Sequence, residues 1–194
     1  MKGDIILMEN KSGSFFAKAV KFFTGRLAKK YDVPVYTHAC FSIGEVFDIE
    51  SVLSAELAMS AMPLKRFRTE KFAFKVYHIK DRIKEKVLDN ILRTRYEKSA
   101  GEGYAFLQNV WFIYRAIMEF IGFNMKGSKN WFPDHENCSE STADYIIDRF
   151  ESFPLPNSAL FQLREYNTNC ISPVDLAIIV KQNPHLFALV ESWN

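Results

Sequence analysis

Apolar residues fall in strand-like runs early in the chain and at helical spacing later. Residues 4–8 (DIILM) form a short continuous apolar run, which predicts a strand. Phe15, Phe16, Ala19, Val20 and Phe23 recur at helical spacing within residues 12–27, predicting an amphipathic helix with Gly25 near its end. Residues 29–34 read as a loop. Residues 35–43 (VYTHACFSI) are rich in β-branched and aromatic types, and 46–51 (VFDIES) alternate apolar with polar. With Gly44-Glu45 as a tight turn, they predict a β-hairpin. A less regular stretch through Met62-Pro63 leads to another strand at 72–79 (FAFKVYHI).

Helical spacing then takes over. Residues 82–98 place Ile83, Val87, Ile91 and Leu92 on one face, and 105–121 do the same with Leu107, Val110, Trp111, Tyr114, Ile117 and Met118. After a loop over 122–136, Ala143, Ile146, Ile147 and Phe150 predict a helix over 138–150. A Pro-containing loop follows. Ser172-Pro173-Val174-Asp175 then has the marks of a helix start: a Ser cap, Pro at the first helical position and Asp three residues after the cap. That helix runs to about residue 182, and 187–191 (FALVE) predict a last strand. Strands early and helices late point to an α+β fold.

At 194 residues, 48% hydrophobic and 25% charged, the chain fits one globular domain with a real core, spanning residues 1–194. The 18 phenylalanines predict a Phe-rich core or an apolar groove. A net charge of +2, with Lys and Arg spread along the chain, removes the electrostatic case for nucleic acid. The start, Met1-Lys2-Gly3-Asp4, does not look like a signal peptide, so a cytoplasmic or otherwise intracellular location is expected. No transmembrane segment is expected either. The longest apolar stretch, 104–123, is interrupted by Gln108, Asn109, Arg115 and Glu119, short of the ~20 mostly apolar residues a span needs.

Three cysteines, Cys40, Cys138 and Cys170, cannot all pair within the chain, which favours free thiols in a reducing compartment. Cys40 and Cys170 stand in apolar surroundings and read as packing residues. Cys138 differs. Asn137 and Glu140 form a predicted capping box, placing Cys138 at the first helical position. There the free N–H groups and the positive end of the helix dipole favour a thiolate. A buried structural cysteine fits the same position.

A cysteine nucleophile needs a base, and four histidines are available. His135 lies three residues from Cys138 on the incoming loop; His78 and His185 read as surface or capping residues. His38 sits inside the predicted hairpin strand, and Asp48 and Glu50 share one face of the next strand. A carboxylate there is suited to hold the imidazole tautomer. The competing use is a metal site, with His38, Cys40, His135 and Cys138 as a Cys2His2 set. No CxxC pair supports it.

The order of these parts resembles a known family. "GDII", "THACFSIG", "FDIES" and "NCSES", with "GYAFLQ" at 103–108 and "SPVDL" at 172–176, are similar to motifs of the permuted papain-like amidases of the YaeF/YiiX group. These are relatives of the NlpC-type cell-wall peptidases and of lecithin retinol acyltransferase. The resemblance runs from Gly3 to Leu176. It implies a circularly permuted papain-like (NlpC-type) fold in which the histidine strand precedes the cysteine helix. It also implies that Cys138 is the nucleophile, His38 the base and Glu50 the third residue, with Asp48 as the alternative.

Tyr36, Tyr104 and His135 are then candidates to line the site. The implied activity is that of a cysteine peptidase, amidase or acyltransferase acting on a peptide or lipid amide, ester or thioester, with no cofactor. Two departures from the family bear on the substrate. Ala39-Cys40-Phe41 stand where small aliphatic residues are usual, and the loop at 124–136 is long. A binding or structural module on the same fold is the non-enzymatic alternative.

Overall fold

The computed structural model describes residues 2–11, 15–55, 59–99, 114–115, 117–119, 121–125, 128, 138–152, 158–165 and 171–193. Within them the chain is α+β. One antiparallel sheet is built from β1 (Ile5–Asn10), β2 (His38–Val46), β3 (Ile49–Ala55), β4 (Met59–Pro63), β5 (Phe72–Ile79) and β6 (Phe187–Trp193). Its order is β4-β3-β2-β1-β5-β6. The helices are α1 (Phe15–Tyr31), α2 (Glu85–Ser99), α3 (Cys138–Glu151), α4 (Ser158–Glu165) and α5 (Pro173–Gln182).

The unbroken apolar run of β1 follows from its interior place in the sheet. Ile5 and Leu7 face a core shared with Ala39, Phe41, Leu53, Tyr145, Ile146 and Phe150. Ile6 and Met8 face a second cluster with Cys40, Val52, Phe67, Phe74 and Val76. All four are fully buried, each contributing about 1.5–3 kcal/mol of apolar burial. A strand covered on both faces has no polar side to alternate with.

The predicted hairpin forms with a different turn. Gly44 and Glu45 stay within β2, where the pairing slips between Ser42 and Gly44, and Gly44 takes φ +90° at that irregularity. The chain reverses at Phe47 and Asp48, both left-handed (φ 51° and 59°), between the paired Val46 and Ile49. Two successive left-handed residues suit the strand twist of a two-residue hairpin, but Asn-Gly is the usual sequence there. Phe47 is 94% exposed, so no packing marks the turn in advance.

The expected loop at 29–34 is half helix. α1 passes through Gly25 and stops at Tyr31, where Asp32 takes a left-handed φ of 52°. Val33 N–H reaches back to the Ala28 carbonyl (2.9 Å), closing the helix end. Lys181 of α5 caps the same end through the Tyr31 and Asp32 carbonyls. The start of α5 has the form predicted for it: Ser172 Oγ accepts from Asp175 N–H (3.2 Å) and Asp175 Oδ2 accepts from Ser172 N–H (2.9 Å). β4 and α4 lie in stretches whose patterning is too irregular to predict them. The predicted helix at 105–121 and the capping residue Asn137 fall mostly or wholly outside the described residues.

Gly3 fixes how α3 meets the sheet. Its φ is +79°, and a Cβ there would lie 2.7 Å from Arg149 Nη1 and 2.8 Å from the Tyr145 hydroxyl. Gly3→Ala is therefore expected to lower stability by about 2–3 kcal/mol, from backbone strain and the displaced polar contacts together. Chemical denaturation measures the loss; a midpoint within error of the parent would contradict it.

Candidate active site

The site is assembled by the register of α3 on β2. The Tyr145 ring stacks on Phe41 with centroids 4.3 Å apart and planes 13° from parallel. Seven helical residues back from Tyr145 is about 10.5 Å of rise, and three strand residues back from Phe41 is about 10 Å. The same packing that seats Tyr145 therefore brings the first residue of α3, Cys138, level with the start of β2, where its sulfur meets the Ala39 N–H and the His38 imidazole.

The far end of the helix holds that register. Tyr145 donates to the Gly3 carbonyl (2.7 Å). Arg149 donates to the same carbonyl (2.7 Å), to the Tyr145 hydroxyl (2.7 Å), to Asp81 through two nitrogens, and to the Ile79 carbonyl (3.4 Å). Burial pushes the Tyr145 phenol up to about 12, against the lowering pull of Arg149, so it stays a donor. Near the cysteine, Ser139 Oγ donates to the Ile171 carbonyl (2.8 Å) and Thr142 Oγ1 to the Cys138 carbonyl (2.7 Å).

Cys138 is 6% exposed. Burial pushes its thiol up, but four contacts outweigh that and hold it below the ordinary cysteine value. They are the charge of His38, a hydrogen bond with its imidazole, and backbone hydrogen bonds from Ala39 and Ser139. The other described thiol, Cys40, belongs to the cluster on the opposite face of the sheet, and burial raises it well above the ordinary value. Two buried cysteines on neighbouring elements thus have opposite chemistry.

The predicted carboxylates do not reach His38. Glu50 pairs with Glu45, seven residues along β2 from His38, roughly 23 Å at the strand rise. Its carboxylate is 3.9 Å from Arg68 instead. Asp48 is exposed in the hairpin turn. The reason is the turn: reversal at Phe47-Asp48 rather than Gly44-Glu45 slides β3 along β2, carrying Glu50 away and bringing Ser54 in. Ser54 Oγ is 2.8 Å from His38 Nε2. The Phe67 ring stacks over the imidazole, centroids 6.3 Å apart and planes at 26°. Neither Ser54 nor Phe67 is among the residues the sequence singles out. A polar residue inside the apolar run VLSA is the one available signal for Ser54.

Tyr36 is buried in the core cluster that also contains Cys138, and burial drives its phenol far above the ordinary value beside Tyr77. His78 is exposed, as read from the sequence, and its Nδ1 is 2.7 Å from Asp4 Oδ1, whose side chain is buried. Tyr104, His135 and Cys170 lie outside the described residues. Of the suggested metal set, His38, Cys40 and Cys138 are described. Among the described residues, no three His, Cys, Asp or Glu side chains gather as ligands.

Comparison with solved structures returns this architecture. The chain matches the crystal structure of the metalloprotein YiiX from Escherichia coli O157:H7 with a TM-score of 0.58 and 17% identity, covering 100% of this chain and 98% of YiiX. The chain has the YiiX fold. No family model matches it, and no curated relative does. The YiiX fold thus spans the whole chain, including the stretch from Gly3 to Leu176 that carries the sequence-level likeness to the YiiX group. Among the described residues, no helix is long and apolar enough to cross a membrane.

Proposed function

We propose that the chain is a cysteine-dependent hydrolase or acyltransferase of the permuted papain-like type. Cys138 is the nucleophile and His38 its base. The observation that carries this reading is the buried thiol at a helix start, in contact with an imidazole and lowered by it despite burial. The YiiX fold over the full length supports it.

In this reading the Cys138 thiolate attacks the carbonyl carbon of an amide, thioester or ester, and the proton is held on His38. The tetrahedral intermediate collapses to a thioester on Cys138 as His38 returns the proton to the leaving amine, thiol or alcohol. Water or another acceptor, deprotonated by His38, then releases the acyl group. The backbone N–H of Cys138, at the helix start where the dipole favours negative charge, is suited to bind the oxyanion. Peptide amides and lipid acyl groups both fit this chemistry.

YiiX is described as a metalloprotein. The described donors of this chain do not form a three-ligand set, and the proposed chemistry uses Cys138 and His38.

The test is selective alkylation. At neutral pH, iodoacetamide is expected to label the protein at Cys138, with labelling abolished in Cys138→Ala and retained in Cys40→Ala and Cys170→Ala. Equal labelling of all three thiols would remove the basis for an activated nucleophile.

A further inference from the structure

We propose that Ser54, a neutral buried hydroxyl, is the positioning residue that fixes the tautomer and orientation of His38. This rests on the reading of Cys138 and His38 as nucleophile and base, and it replaces the expected carboxylate with a different chemistry.

Three observations point to it. Ser54 Oγ lies 2.8 Å from His38 Nε2, within normal hydrogen-bond range. Ser54 is 1% exposed, so water does not compete for the imidazole there. Its strand is fixed on both sides, through Leu53 opposite Phe41 on β2 and Ser54 opposite Ser60 on β4. The hydroxyl therefore has a defined place, and the Phe67 ring stacked over His38 restricts the imidazole plane.

The chemistry follows from which ring nitrogen carries the proton. When Ser54 Oγ accepts from Nε2–H, the lone pair of the neutral ring is left on Nδ1, the nitrogen that then takes the thiol proton. When the ring gains that proton, Nε2–H stays with Ser54, so the hydrogen bond survives the whole proton transfer. A carboxylate would add its charge to the imidazolium. A hydroxyl orients the ring without that charge, so the cation on His38 is balanced by the Cys138 thiolate itself. Glu50, four residues back along β3 at roughly 13 Å, pairs with Arg68 instead.

The experiment compares the parent protein, Ser54→Ala and Ser54→Thr. Ser54→Ala removes only the hydroxyl, and Ser54→Thr restores one. The readouts are nitrogen-15 NMR of the His38 ring, assigned by His38→Gln, and the rate of Cys138 alkylation by iodoacetamide from pH 5 to 9. The parent is expected to show the Nε2–H tautomer. Ser54→Ala is expected to show mixed tautomers and a three- to tenfold slower alkylation below pH 7, with both effects reversed in Ser54→Thr. Fast parent alkylation with an unchanged tautomer and pH profile in Ser54→Ala would overturn this proposal and leave the nucleophile–base reading intact. A parent Cys138 that alkylates no faster at pH 6 than a free cysteine would overturn that reading, and this one with it.

Discussion

Arg149→Ala is expected to cost about 3–5 kcal/mol of stability, the scale for breaking a buried ion pair from one side. The Arg149 side chain is 3% exposed and that of Asp81 6%. Removing the guanidinium leaves the Asp81 carboxylate buried without its partner. It also withdraws a donor from the Gly3 carbonyl and from the Tyr145 hydroxyl. Against a typical total of about 5–15 kcal/mol, that is roughly a fifth of the margin or more. At about 2–4 °C per kcal/mol for a chain of this size, Tm falls by roughly 6–20 °C. Arg149→Lys should recover little, because an ammonium cannot hold Asp81 through two nitrogens and reach Gly3 at once. Thermal unfolding followed by circular dichroism measures both variants, and a Tm within 2–3 °C of the parent for Arg149→Ala would show the network to be marginal.

The second large effect concerns reactivity. In the parent the Cys138 thiol lies below its ordinary value, so the thiolate persists as pH falls toward that lowered value and is lost only on passing through it. His38→Ala removes both the charge and the imidazole hydrogen bond that lower it. Burial, which raises it, stays. The acid limb of Cys138 alkylation should therefore move to higher pH. On that limb, each pH unit by which the profile moves means a tenfold loss of thiolate at a given pH, so labelling at pH 6 is expected to fall. The two profiles should draw together only as pH rises, since burial still raises the thiol in the variant. Superimposable profiles would mean that His38 has no influence on the sulfur. Because the imidazole lies outside the Arg149 network, Tm of His38→Ala should change far less than that of Arg149→Ala.

What is legible in the sequence depends on the range of the interaction involved. Strands β1, β2 and β5, the start of α5 and the whole of α3 can be read because short-range patterns specify them: an apolar run, a Ser-Pro-x-Asp start, apolar spacings of three and four. The pairing of Cys138 with His38, 100 positions apart, is legible only through the likeness to a family. No local pattern contains it. Glu50 is misplaced because the turn is. Gly44-Glu45 has turn composition, whereas Phe47-Asp48 adopts left-handed φ without a glycine or asparagine. A shift of three residues in the turn changes which β3 residue faces the imidazole. Ser54 stands out only as a polar residue in an apolar run, and its role cannot be read for the same reason, since it exists only in the correct register.

The order of the strands also sets when the reactive thiol can come into being. β2, β3 and β4 are joined by short connections and pair in sequence, so they make low-separation contacts and can form early. β1, by contrast, must pair with β5, more than sixty residues on. The bond from Arg149 to Gly3 closes across 146 positions, and loop closure of that length is late and slow. His38 is thus placed by low-separation contacts, while Cys138 reaches it only once contacts a hundred or more positions apart have closed. Until then the thiol is an ordinary one. Rapid alkylation at acid pH is therefore expected to report the closure of those contacts, and a chain in which they are open is expected to react there only as an ordinary thiol.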